Sequence, residues 1–189
     1  MRKRSDRVAL CILGAAAFAL AGCGEDEVDA SAFPDLATCK ASAALGGQDF
    51  TAADCDRAYA EAQAIHQDSA PRYDAKVVCE EQHGEEACVE AADGNGGGGS
   101  IFMPLMAGYL IGNMLNRGTV AQPLYRSAAG GFSDAAGRAT YATNLGQGKL
   151  GASQFDRPAA TVGKPPMSAA TVKARGGFGA SAGGRTSAG

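Results

Sequence analysis

Tryptophan is absent from this 189-residue chain, aromatic residues make up only 6%, and glycine takes 27 positions. A chain so poor in large apolar side chains cannot fill its length with one thick core, so it needs cross-links or leaves part of itself unfolded. Histidine occurs only at His66 and His83, each set among acidic residues. That argues against a Cys–His nucleophile, which needs a free thiolate beside a base. No Cys-x-x-Cys pair occurs, which removes the thioredoxin-type motif. The glycine-rich run 94–99 is not followed by Gly-Lys-Ser/Thr and is no phosphate loop. Charge is missing from Val8 to Ala21. As a helix that run covers about 21 Å, short of the ~30 Å hydrocarbon core of a bilayer.

What is present begins with Arg2, Lys3, Arg4 and Arg7, which precede this apolar run; Leu20-Ala21-Gly22-Cys23 closes it. A basic start, an apolar middle and a small-residue end form a secretory signal that is removed from the mature protein. The closing four residues resemble the bacterial lipobox. The resemblance implies cleavage before Cys23 and attachment of diacylglycerol to its thiol; two or more acyl chains make a stable anchor. Gly24, in place of an aspartate, points by the same resemblance to the outer membrane. The alternative is a soluble secreted or periplasmic protein, with Cys23 incidental.

The mature chain would carry 13 basic and 19 acidic residues, and they are unevenly spread. Residues 23–93 hold 17 acidic and 4 basic side chains, whereas 94–189 hold 2 acidic and 9 basic. The change falls at the glycine-rich run 94–100, which reads as a flexible linker. The expected organisation is a signal (1–22), an acidic tether (23–34), an acidic stapled module (35–93), the linker (94–100), an apolar helix (101–116) and a basic tail (117–189).

Apart from Cys11 in the signal and Cys23, the cysteines are Cys39, Cys55, Cys79 and Cys88. An even set in a small exported module reads as two disulfides, with three possible pairings. Gly46-Gly47 lies midway between the first two and Gly84 midway between the last two. If each glycine reverses the chain across a helical hairpin, the pairs are Cys39–Cys55 and Cys79–Cys88. Helices are expected at Asp35–Ala44, from Ala52 to His66 behind a Thr51 cap, and from Asp74 to Gln82, with one more turn at Glu85–Glu90. Cys55, Ala58, Tyr59, Ala62 and Ile65 follow the spacing of a buried helical face.

Ile101 to Leu115 is uncharged and apolar on every side, so as a helix it must be buried or meet lipid. Gly108 and Gly112 would then give a close-packing face, used against its own module, a second copy or lipid. From residue 117 onward Gly, Ala, Ser, Thr and Pro dominate without period, and the expectation is disorder. The fold class is therefore mostly α: a small disulfide-stapled helical module, one apolar helix and a long Gly/Ala-rich disordered tail.

Three stretches resemble the YgiB-like family of uncharacterised bacterial proteins. They are Ser100-Ile101-Phe102-Met103-Pro104-Leu105-Met106-Ala107-Gly108-Tyr109-Leu110, Gln122-Pro123-Leu124-Tyr125 and Arg175-Gly176-Gly177-Phe178-Gly179. The segment from Ala70 to Cys88 fits it as well. The resemblance implies an exported, envelope-associated protein and brings no catalytic residues. The function expected is structural or interactive rather than enzymatic, without a cofactor. The lipid anchor supplies one partner, the membrane. Another is an anionic lipid or cell-wall polymer met by the basic tail, and self-association would run through 101–115. The arginines spaced with Gly and Phe are of the RNA-binding type, but export removes cellular RNA as a target. Two other readings stand: a periplasmic module for a small ligand or a metal, the latter through Cys79, His83 and Cys88, and docking of the basic tail on the acidic module of the same chain.

Overall fold

The computed structural model describes residues 26–46, 50–91, 99–114, 118–137 and 139–176. Among them strand and helix are about equally represented, which overturns the mostly α expectation. In chain order the elements are β1 (Glu27–Phe33), α1 (Leu36–Leu45), α2 (Ala52–Ser69), α3 (Lys76–His83), β2 (Cys88–Glu90), β3 (Phe102–Pro104), β4 (Met106–Met114), β5 (Gly118–Arg126), β6 (Phe132–Ser133), β7 (Thr140–Tyr141) and β8 (Gly146–Gly151). A 3-10 turn at Ala152–Phe155 and the short helix α4 (Ala169–Ala174) follow. Six strands form one antiparallel sheet in the order β7-β6-β5-β4-β1-β8, curled into a half-barrel; β2 and β3 pair separately.

The helices form largely where capping chemistry places them. Asp35 accepts the Thr38 N–H at 2.7 Å to start α1, and Gly46, at φ 76°, ends it. Thr51 and Asp54 cap α2 reciprocally, and Cys55, Ala58, Ala62 and Ile65 make its buried face. Cys39–Cys55 joins α1 to α2, with both residues buried. Cys79–Cys88 joins α3 to β2. The second staple therefore links a helix to a strand; Glu85–Glu90 is not a helical turn.

Of the apolar helix expected at 101–116, residues 101–114 are described and form β3 and β4; 115 and 116 lie outside the described residues. Along β4, Tyr109 and Ile111 face α1 and α2, while Leu110 packs with Val28, Leu124 and Phe155 on the concave side. Both faces are covered, so apolar residues on every side mark a buried strand here, and periodicity alone does not separate that from a buried helix. Gly108 and Gly112 are consequently no helix face. A Cβ on Gly112 would lie 2.5 Å from the Phe155 ring, and one on Gly108 would lie 2.8 Å from the Phe33 carbonyl oxygen.

The expected acidic tether contains β1, hydrogen-bonded between β4 and β8. Val28, Ala30 and Ala32 turn into the concave side, with Glu27 and Asp29 opposite. The expected disordered tail contains β5 to β8 and α4. Pro123 is tolerated in β5 because β6 pairs only with Tyr125 and Arg126, so β5 is an edge at Pro123. Lys149 bonds Asp29 at 3.0 Å and Arg157 approaches Asp68 at 3.6 Å, so the basic half does lie on the acidic half, as folded strands and turns.

The closed loops of the disulfides span 16 and 9 residues, worth about 3 and 2.5 kcal/mol in chain entropy. The double change Cys39→Ala/Cys55→Ala is expected to lower the unfolding free energy by about 3 kcal/mol, read from urea midpoints in non-reducing buffer.

Candidate functional site

At the end of α2 the chain turns at Ala70 and Pro71 and runs extended through Arg72 and Tyr73. The Tyr73 N–H donates to the Phe102 carbonyl at 2.8 Å, and the Phe102 N–H returns the bond at 2.9 Å. On the other side the Met167 N–H donates to the Arg72 carbonyl at 2.7 Å. Three segments distant in sequence are thus laced together.

Under this junction lies a row of buried rings. His83 is almost wholly buried, with Nε2 2.9 Å from the Tyr73 hydroxyl and Nδ1 2.8 Å from the Arg126 carbonyl oxygen. A carbonyl only accepts, so Nδ1 carries the proton and Nε2 accepts the Tyr73 O–H. Tyr125 continues the row, its ring 6.2 Å from that of His83 and its hydroxyl 3.0 Å from Nδ1 of His66. Burial holds both imidazoles neutral. It lowers His83 to about 4 against the partial opposition of the Arg126 carbonyl, and it lowers His66 with help from the Arg72 charge. Burial raises the Tyr73 and Tyr125 hydroxyls above their ordinary range. At neutral pH this row donates and accepts hydrogen bonds and offers no charged acid or base.

Above it opens a cleft of about 450 Å³ between the Ser69–Arg72 corner and the segment from Pro158 to Arg175. Thr161 straps the two walls: its hydroxyl donates to the Ala70 carbonyl at 2.7 Å and accepts from Nε of Arg72 at 3.3 Å. The Arg72 guanidinium also donates to the Gln67 carbonyl at 2.8 Å. Arg72, Lys164 and Arg175 line the cleft, and no carboxylate is among the lining residues. A concave surface with three cations set among prolines and alanines suits an anion that carries an apolar part.

The residues singled out in the sequence do not converge here. Cys23 lies outside the described residues. The two disulfides sit apart, one under the sheet and one beside α3. With Cys79 and Cys88 joined, their sulfurs are not thiolate ligands for a metal, and His83 is engaged by Tyr73 and Arg126. Among the described residues, no three His, Cys, Asp or Glu side chains group as metal ligands, and no helix is long and apolar enough to cross a membrane. The histidines, expected on an acidic surface, are respectively half-buried and buried. The spacing of Tyr73 and His83 across a turn carried no period that would have paired them.

Comparison with known proteins places the chain in a family. Residues 27–189 match the model of a family described as protein of unknown function (DUF1190), and the chain belongs to it. It is 34% identical over 177 residues to a UPF0441 protein of Sodalis glossinidius, covering 87% of this chain and 76% of that one. A UPF0441 protein of Klebsiella pneumoniae is 32% identical over 183 residues, covering 88% and 77%. One from Pectobacterium carotovorum is 31% identical over 194 residues, covering 93% and 81%. No solved structure matches the chain.

Because His83 is neutral in the fold, the unfolded chain takes up its proton first, near the ordinary histidine value of about 6.5. The stability it contributes is complete above that value and is lost as pH falls towards about 4. Urea midpoints measured between pH 7.5 and 4 are expected to fall through this window, and more gently in His83→Gln.

Proposed function

We propose that this is an exported, lipid-anchored cell-envelope protein with a structural or interaction role, and not an enzyme. The two disulfides carry the reading: such staples persist in oxidising compartments outside the cytoplasm, in chains whose cores are otherwise thin. The signal-like N-terminus ending in Leu20-Ala21-Gly22-Cys23 supports the anchor, and Gly24 supports the outer membrane. The membrane is then the first partner. The second is an anionic envelope component, with lipid head groups preferred over cell-wall polymer, engaged by Lys164 and Arg175 on the rim of the cleft. The basic half acts as a folded surface in this reading. Self-association through residues 101–115 is not retained, because β4 is spent inside the sheet. A small-ligand role survives only as an anion site, on the size of the cleft.

Intact-mass measurement of protein extracted from membranes is expected to show a chain starting at Cys23, carrying diacylglycerol mass and two disulfides. An unprocessed cytosolic chain with reduced sulfurs would overturn the reading. Each cation near an anionic surface contributes roughly 1 kcal/mol. Binding of the folded chain to phosphatidylglycerol vesicles should therefore weaken with added salt and drop about fivefold in Lys164→Ala. Salt-independent binding would remove the electrostatic part, and retention on cell-wall polymer alone would move it to that partner.

A further inference from the structure

The concave side of the half-barrel is not completely filled. Phe155, Leu124 and Val28 close one end, and the Tyr141 hydroxyl donates to Oε1 of Gln154 at 2.9 Å beside them. Beyond that bridge a trough of about 330 Å³ lies between the two free edges of the sheet, β7 and β8. Its floor is Ala30, Ala32 and Leu110, and its walls are Tyr141, Leu145 and Leu150. Leu145 is 53% exposed at the mouth. Ala30 and Ala32 in the floor, with their partners Gly148 and Gly146 in the neighbouring strand β8, leave room that larger side chains would take. The lining carries no charged side chain. Thr140, Thr143 and Gln147 are its polar lining side chains, and an open trough of this volume that is otherwise apolar suits a hydrocarbon chain, not a folded partner.

The strand that makes the floor is β1, the strand that follows the proposed anchor. Cys23 precedes Val28 by five residues, a span of about 17 Å at full extension. Val28 pairs with Leu150, the trough residue on that side. The Val28 end of the trough therefore lies within that length of chain from Cys23.

We infer that this trough seats an acyl chain of the lipid on Cys23 of the same molecule. The inference rests on the reading that Cys23 is acylated, and it adds a second place for the hydrocarbon besides the bilayer. Of the two or more chains on a lipidated cysteine, one occupies the module while the others hold the membrane. The protein would sit with its half-barrel mouth against the lipid surface, and the partition of one chain between trough and bilayer would set how firmly it is anchored.

The test feeds cells a diazirine-bearing fatty acid, reconstitutes the purified full-length protein in nanodiscs and irradiates it. Intact mass is read first: absence of lipid on Cys23 overturns the anchor reading and this inference together. With lipid present, cross-links are expected on the peptides carrying Leu110, Tyr141, Leu145 and Leu150. They should be lost in Ala32→Leu, which fills the floor, and reduced in Leu145→Gln, which folds without touching the floor; unchanged circular dichroism certifies both variants. Cross-links confined to nanodisc lipid overturn the inference and leave the anchor intact. Cross-links to an isotope-labelled Cys23→Ser chain mixed into the same sample overturn the same-molecule assignment and make the trough a receptor for another copy's lipid.

Discussion

Everything in this fold leans on β4 being covered on both sides. Its backbone pairs with β1 and β5, and its side chains divide between two cores. Tyr109 and Ile111 hold α1 and α2 against the convex side, where the Phe33, Phe50 and Tyr59 rings gather round Tyr109. Leu110 and Gly112 hold the concave side, where Phe155 seats directly over the glycine. A strand placed this way desolvates its side chains on both faces, and that burial is the main stabilisation open to a chain with so few large residues.

The remaining stability comes from closeness. Glycine and alanine let elements approach where bulk would separate them, as Gly112 does under Phe155. Small residues bury little surface each, so the helical layer is secured covalently: Cys39–Cys55 fixes α1 to α2 in the same cluster as Tyr109. Surface ion pairs between the acidic and basic halves, such as Lys149 with Asp29, are exposed and contribute little individually. Their arrangement still shows that the opposite charge of the two halves accompanies contact between them.

The ring row at the end of α2 fills a different role. Tyr73, His83 and Tyr125 are large, buried and polar at their tips, and each tip finds a partner. The row joins α2, α3 and β5 beneath the cleft, so the cations above stand on a rigid base. Keeping both histidines neutral avoids buried charge, for His66 near Arg72, and costs acid tolerance in exchange.

Much of the local structure was legible in the chain. The caps at Asp35, Thr51 and Gly84 and the buried face of α2 follow from short-range chemistry, and the glycines midway between the cysteines pointed to the observed pairs, although Cys79–Cys88 closes onto a strand and not across a helical hairpin. The sheet was not legible. In β1 the pattern Val28, Ala30, Ala32 against Glu27, Asp29 alternates, but alanine signals burial weakly. In β5 to β8 glycine and proline read as disorder because what buries them comes from distant segments. The cleft has the same origin: Arg72, Thr161 and Arg175 are unrelated in sequence until strands and straps bring them together. By itself the sequence determined where the caps of the first two helices fall and how charge is divided, since those depend on neighbours a few residues away, whereas it left three cysteine pairings open. Only the tertiary structure decided that the apolar run is a strand and that the described residues of the basic half, 118–137 and 139–176, are folded, since both depend on what covers each face, and coverage is long-range.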